Sequence, residues 1–463
     1  MQRLHFPPDS WYSVLFENPE IDVAIRKAFL TYERRPPRKF LLMAQLTFLG
    51  SCREIGRSGF FLEHHDESVM IDYGVKFTDP PSFPDMVSLD DMQGVALTHA
   101  HLDHSGGIPR ILSNTEASLY CTPATRDLSV LLLRDLHNIS RGRLPYTRKD
   151  IALVKRQCDA TAYEETVPLG RHFELTLFNA GHIPGSAMVS IRVNGKRVLF
   201  TGDFNATESK LNLGARKNLP KHDVVITEST YARRINPDRA EITQALIETV
   251  LETVERGGTV LIPAFAVGRS QEIMCILEQS EISRKFPVYI DGMARQVNDI
   301  LVRHPEYLQS PQSFTRAVSR TRIVHDNRDR KKAAESGGII VSPAGMLKGG
   351  ASHLYFKLLH DNPKNSIIFV SFQIPGTPGA ELLATKKVSV GSREFEVKAE
   401  VRMHHLSSHS DSVGLVDLLE RIPGNPKFHI VHGESESCDA LADILKKKGR
   451  RANIPDINDV IEI

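Results

Sequence analysis

The sequence predicts an α/β protein in which a strand-rich domain is followed by a parallel α/β unit. Three observations predict it. Short strand-like runs crowd residues 44 to about 230, helical and strand-like runs alternate from about 238, and strand-like runs return from about 394. Alternation of apolar strands with helical spacing is what a parallel sheet with crossover helices requires.

The elements can be justified in order. Residues 1–43 differ from the rest: a short amphipathic helix is expected near 18–32, then the basic, proline-broken stretch Arg34-Arg35-Pro36-Pro37-Arg38-Lys39. This segment reads either as an extension or as an over-long start ahead of Met43. Gln45–Gly50 then reads as a strand entering a turn. Strands are expected at Gly59–Leu62, Val69–Ile71, Val95–Thr98, Ala187–Val193 and Arg197–Thr201, the last two joined by an Asn194-Gly195 hairpin signal. Helical spacing covers 239–256, a loop and buried strand cover 257–263, and helix 268–283 precedes strand Val288–Ile290. Toward the end come helices at 412–421 and 436–448 and strands at Phe428–Val431 and Val460–Ile463.

The chain of 463 residues is long enough for two or three domains. With a net charge of +2, any affinity for nucleic acid must come from local basic patches. The five cysteines are scattered without a CxxC pair, which argues for a reducing compartment and against a disulfide framework or a thiolate zinc site. No apolar run approaches the roughly 20 residues of a membrane span. The start, MQRLHFPPDSW, lacks the apolar core of a secretion signal. A cytoplasmic protein with no membrane association is expected.

The chemistry concentrates in residues 97–107, LTHAHLDHSGG. On an extended chain His99 and His101 point to one side and can share an ion. After a turn, Asp103 and His104 at the opening of a helix can face a second ion. Imidazole with carboxylate and without thiolate suits zinc, with manganese or iron as alternatives. Other strand ends offer further ligands: Asp72 in Ile71-Asp72-Tyr73, His182 in Gly181-His182-Ile183, Asp203 in Gly202-Asp203-Phe204, and His432 in Val431-His432-Gly433. Each is weak alone, but together they read as one metal face.

The ordered set Asp72, His99-x-His101-x-Asp103-His104, His182 and Asp203 resembles the metallo-β-lactamase superfamily. The stretches Thr227–Tyr231, Ile262–Glu272, Ser342–Leu347, Ser407–Asp411 and Val431–Glu434 resemble its β-CASP ribonucleases, closer to the archaeal cleavage-and-polyadenylation-specificity-factor side than to ribonuclease J. The resemblance covers about 45–463. It implies an αββα sandwich over 44–231 and 398–463, interrupted by a parallel α/β β-CASP domain over 232–397. It also implies two zinc ions (with manganese ranked below zinc): one on His99, His101 and His182, the other on Asp103, His104 and His432, with Asp203 bridging. Asp72 would orient ligands, Glu228 would hydrogen-bond His409, and His409 would be the general acid. Histidine at 432 resembles the RNA-directed branch, so single-stranded RNA is the implied substrate and 5′-phosphate and 3′-hydroxyl ends the implied products. The mode, endonuclease or 5′→3′ exonuclease, stays open, as does assembly into a homodimer or an RNA-processing or decay complex.

Substrate grip is expected from the insert. In SPAGMLKGG, residues 342–350, backbone amides around Ser342 and Gly345 could hold a phosphate beside Lys348, with Gln373 on a facing wall. The competing readings are a small-molecule hydrolase acting on thioesters or lactams, a DNA nuclease, and an RNA-binding subunit with a dead site. An insert of this size fits a polymer channel better than a small substrate, and no expected ligand is missing.

Overall fold

The computed structural model describes residues 43–390 and 393–463. The helix expected at 18–32 lies outside them.

Two seven-stranded mixed sheets face each other. The first runs, edge to edge, Val460–Glu462, Gln45–Phe48, Gly59–His64, Glu67–Tyr73, Met92–Ala96, Ser118–Cys121, Cys158–Ala160. The second runs Arg451–Asn453, Lys427–Ile430, Val224–Thr227, Lys196–Phe200, Ala187–Val193, Phe173–Asn179, Thr166–Leu169. Residues past 420 therefore return to complete both sheets. The side-chain period of two sorts the strands between layers. Val69 and Ile71 join Leu46, Phe48, Phe200 and Val431 between the sheets, while Met70 faces the outer helices with Leu119 and Leu133. Asp72 has φ +55, which breaks the alternation and turns Tyr73 to the helix side. Helices Ser412–Arg421 and Ser435–Lys447 cover the second sheet through Leu415, Leu418 and Leu441. The layers are thus helix, sheet, sheet, helix, as expected. The hairpin signal also holds: Asn194 and Gly195 take φ +50 and +74.

The insert is a wholly parallel six-stranded sheet in the order Thr321–Ile323, Val288–Ile290, Ile339–Ser342, Val260–Pro263, Ser366–Phe369, Glu400–Met403. Val260 and Ile262 face one helical layer and Leu261 the other, all fully buried, as a sheet covered on both faces demands. The strand Glu400–Met403 pairs with Ser366–Phe369, so this sheet runs past the boundary expected at 397. The helix expected over 268–283 is two: Arg269–Gln279 and Ile282–Lys285, divided at Glu281, whose φ of +62 cannot continue a helix. An apolar cluster joins insert to sandwich: Ala100 and Ile183 pack with Val267, Cys275, Val297 and Phe314. Ala100 sits between two expected ligands, and Ile183 follows a third. Among the described residues no helix is long and apolar enough to cross a membrane.

Two buried histidines make this sandwich sensitive to acid. His429 stacks on Phe48 with ring centroids 5.6 Å apart, and neither of its ring nitrogens has a hydrogen-bond partner. Burial pushes its pKa down to about 4. Burial likewise takes His222 to about 4, its ring set between the Ser190 hydroxyl and the Pro220 carbonyl. Unfolding returns both to about 6.5, so the unfolded chain binds protons first. The stabilisation is whole above about pH 6.5 and is lost as pH falls toward 4. At pH 5 each should cost about 2 kcal/mol. Denaturant midpoints at pH 7 and pH 5 should therefore draw closer together in His429→Leu than in the parent. An unchanged gap would remove His429 as a source.

Candidate metal centre

The strand Met92–Ala96 ends two residues earlier than its sequence suggests. Leu97–His101 is loop, and a short helix, Leu102–Ser105, opens with Asp103 and His104 in its first turn. Parallel and antiparallel neighbours end at the same edge. Glu67–Tyr73 carries Asp72, Lys196–Phe200 leads to Asp203, Val224–Thr227 to Glu228, and Lys427–Ile430 to His432. His182 comes from the turn between Phe173–Asn179 and Ala187–Val193.

Two groups of side chains meet there, and Asp203 belongs to both. His99, His101, His182 and Asp203 each offer a ligand atom within 4.8 Å of the others, and so do Asp103, His104, His432 and Asp203. The carboxylate of Asp203 divides between them. Its Oδ2 lies 3.6 Å from His99 Nε2 and 3.8 Å from His182 Nε2, and its Oδ1 lies 3.4 Å from His104 Nε2 and 3.1 Å from His432 Nδ1. His432 Nε2 is 3.4 Å from Asp103 Oδ2, and His101 Nδ1 is 3.0 Å from His182 Nε2.

The second nitrogen of three rings is used for orientation. His104 Nδ1 meets Asp72 Oδ2 at 2.7 Å, His182 Nδ1 meets the Ser408 carbonyl at 2.9 Å, and His99 Nδ1 meets Thr98 Oγ1 at 3.1 Å. Asp72 is itself held by the Thr98 amide and hydroxyl, each at 2.8 Å. This leaves Nε2 of His99, His104 and His432 and Oδ1 of Asp203 buried without a hydrogen-bond partner. An unpaired buried polar atom costs about 1–3 kcal/mol. Four that converge on one space, from imidazoles and a carboxylate, fit divalent cations.

The electrostatics agree. Burial opposes charge on every histidine here. At His99 and His182 it prevails, helped by neighbouring imidazoles, and both are held well below the usual range, in the neutral form that binds metal. At His104 the carboxylates of Asp203 and Asp72 outweigh burial and hold it well above. Burial would raise Asp203, but His432, His104 and His409 keep it well below the usual carboxylate range.

His409 stands beside the centre. Its Nδ1 is 3.0 Å from Glu228 Oε2, and its Nε2 is 3.9 Å from Asp203 Oδ2. Its side chain is 19% exposed, so a substrate atom can reach it. Burial lowers its pKa, yet Glu228 and Asp203 raise it to about 9. The loop beneath it is pinned by groups whose roles the sequence did not disclose. Arg269 donates to Ser408 Oγ at 2.8 Å and Arg239 to the Ser407 carbonyl at 2.8 Å, and both arginines pair with the buried Glu272. Arg234 lies between the rings of Tyr231 and Phe372, 4.9 and 4.3 Å from their centroids, and Tyr231 packs 5.5 Å from His409.

The expected substrate wall is different. Ser342 is fully buried and its hydroxyl donates to the Pro343 carbonyl. Gln373 is 7% exposed and donates from Nε2 to the carbonyls of Gly345 and Ser371 at 3.1 and 2.9 Å. The Gln373 amide thus ties the Gly-rich turn to the segment after Ser366–Phe369, while the Ser342 hydroxyl closes on its own turn. Gly345 is buried against Ala264 and Phe265. Of the four, Lys348 alone is exposed.

Known proteins resemble the chain over nearly its whole described length. Family models match in order: the metallo-beta-lactamase superfamily over residues 55–263, the Beta-Casp domain over 270–382, and a Zn-dependent metallo-hydrolase RNA specificity domain over 394–455. The chain is 35% identical to RNase aCSPSF2 of Saccharolobus solfataricus, over 87% of this chain and 82% of that protein. It is 33% identical to the probable RNase MJ4 of Methanocaldococcus jannaschii, over 90% and 100%. It is 35% identical to the transcription termination factor FttA of Pyrococcus horikoshii, over 90% and 71%. A crystal structure of a protein of unknown function from Enterococcus faecalis shares the fold, with a TM-score of 0.60 at 15% identity over 91% of this chain and 100% of that one. The matched superfamily implies a divalent metal, and the converging ligands suit one. This chain belongs to the β-CASP ribonuclease family of the metallo-β-lactamase superfamily, metal-dependent hydrolases that act on RNA.

Proposed function

We propose that the chain is a two-zinc ribonuclease that hydrolyses single-stranded RNA to 5′-phosphate and 3′-hydroxyl ends. The observation that carries this reading is the division of Asp203: one carboxylate oxygen beside each ligand group, with His409 and Glu228 alongside. His99, His101 and His182 would hold one ion, Asp103, His104 and His432 the other, and Asp203 both. Five imidazoles and two carboxylates without thiolate favour zinc over manganese. Bound there, the pair supplies an acidified water and positive charge for the scissile phosphate.

The chain's own groups do the rest. Asp72 and Thr98 fix the His104 and His99 rings. His409 Nε2 carries the proton that the departing 3′-oxygen needs, and Glu228 at Nδ1 keeps that ring charged and aimed. Arg239 and Arg269 hold the loop that positions it. The insert packs against the sandwich at Ala100 and Ile183, next to the ligand residues, and an insert of this size suits a polymer better than a small ester. The cytoplasmic setting rests on five unbridged cysteines.

Two variants separate these roles. Asp203→Ala should abolish cleavage and lower the metal content measured by elemental analysis. His409→Ala should retain its metal and cleave about 100-fold or more slowly. Loss of metal in His409→Ala would overturn the general-acid assignment. Size-resolved products from 5′-monophosphate, 5′-triphosphate and internally labelled RNA assign the mode. A mononucleotide ladder from the 5′ end means exonuclease, and discrete internal cuts mean endonuclease.

A further inference from the structure

A second histidine cluster lies at the far end of the sandwich. The strands Gly59–His64 and Glu67–Tyr73 form a hairpin with His64 opposite Glu67, so His65 and Asp66 make its two-residue turn. Asp72, at the metal edge, is five residues of strand from Glu67, about 17 Å away. From the other sheet, the turn between Thr166–Leu169 and Phe173–Asn179 brings His172 to the same place. The three rings touch: centroids are 4.1 Å apart for His64 and His65, 4.9 Å for His65 and His172, and 5.4 Å for His64 and His172. One ring nitrogen of each lies within 4.8 Å of one from each of the others.

The cluster is built rather than incidental. Glu67, 5% exposed, accepts the backbone amides of Arg171 and His172 at 2.9–3.0 Å, and Arg171 Nε at 2.9 Å. That carboxylate fixes the backbone of His172 against the hairpin. Gly170 makes the approach possible: its φ is +65, and a Cβ there would stand 2.7 Å from Glu67 Oε2. His65 takes φ +52, a conformation free of cost for glycine and adopted by asparagine, aspartate and histidine more readily than by other side chains. His64 is 4% exposed, and its Nδ1 is buried with no hydrogen-bond partner. Burial and the two neighbouring rings lower its pKa, which favours the neutral ligand form.

We propose that His64, His65 and His172 form a second zinc site, separate from the catalytic centre, that clips the two sheets together at their far end. Tetrahedral zinc with bonds of about 2.0–2.1 Å sets ligand nitrogens about 3.4 Å apart. The present spread closes to that by rotation of His65 and His172, both only partly buried. Water takes the fourth position. Asp66, whose Oδ1 is 4.0 Å from His172 Nε2, adds negative charge nearby.

The test uses the full chain stripped with a chelator, reloaded with Zn2+ and passed through metal-free gel filtration. The His65→Asn/His172→Gln double variant should retain one zinc fewer per chain than the parent, with RNA cleavage within about twofold. Thermal unfolding gives a second readout that does not depend on the double variant. His65→Asn should melt above the parent in chelator, because asparagine suits a positive φ, and below it in Zn2+, because the clip is lost. Equal zinc counts, or the same zinc-induced rise in melting temperature in parent and His65→Asn, would overturn the site.

Discussion

Asp203 is a buried carboxylate whose two oxygens point into two different sets of imidazoles. A charge so placed is tolerated only if it is matched, and hydrogen bonds alone do not match it: Oδ1 has no hydrogen-bond partner. Much of the architecture follows from meeting that demand. The four strands leading to Asp72, Asp203, Glu228 and His432 end at one edge and deliver their side chains around one point. The rings are then turned by their outer nitrogens. Thr98 is central to this, since one hydroxyl bonds Asp72 and lies 3.1 and 3.4 Å from His99 and His104. A residue that binds no metal thus couples the two ligand groups.

The insert is part of the centre as well as a cover for it. Glu272, on the helix Arg269–Gln279, gathers Arg239 and Arg269, and these grip the loop Ser407-Ser408 ahead of His409. The carbonyl of Ser408 in turn orients His182. Insert helix, His409 loop and His182 are therefore tied together. A buried ion pair of this kind contributes modestly to stability, because desolvation offsets attraction. Its consequence is positional, and it explains why so polar a cluster is retained inside an apolar junction.

How much of this could be read from the chain depends on sequence distance. His99-x-His101-x-Asp103-His104 was conspicuous because four potential ligands fall within six residues after an apolar strand. The remaining candidate ligands could be picked out as strand ends followed by glycine or a turn, once a metal was suspected. Thr98, Arg239 and Arg269 had visible identities but hidden roles. Their partners lie up to 168 residues away, and no local pattern encodes such a contact. Ser342 and Gln373 were ambiguous for a different reason. A polar residue in a Gly-rich turn looks the same whether its side chain faces a ligand or the backbone carbonyls of a neighbouring loop. The edge of the insert was misjudged at 397 because Glu400–Met403 is short and only partly buried, as an edge strand is, and its pairing partner is Ser366–Phe369, more than 30 residues earlier.

The charge pattern around Asp203 carries one further implication. With no cation in place, the imidazoles do not respond alike to burial. His99 and His182 are driven neutral, while His104 and His432 are held charged by the carboxylates they face. The same carboxylates would serve divalent ions once those histidines give up their protons. Metal uptake at this edge would therefore be an exchange of protons for cations over a fixed frame of carboxylates. His409 is set apart from that exchange by Glu228, a carboxylate 3.0 Å from its Nδ1. Glu228 faces His409 Nδ1 and the Phe204 amide, and it belongs to neither of the two four-residue ligand groups. His409 can thus keep its proton while its neighbours lose theirs, the condition that the proposed pairing of metal binding and proton donation at one edge requires.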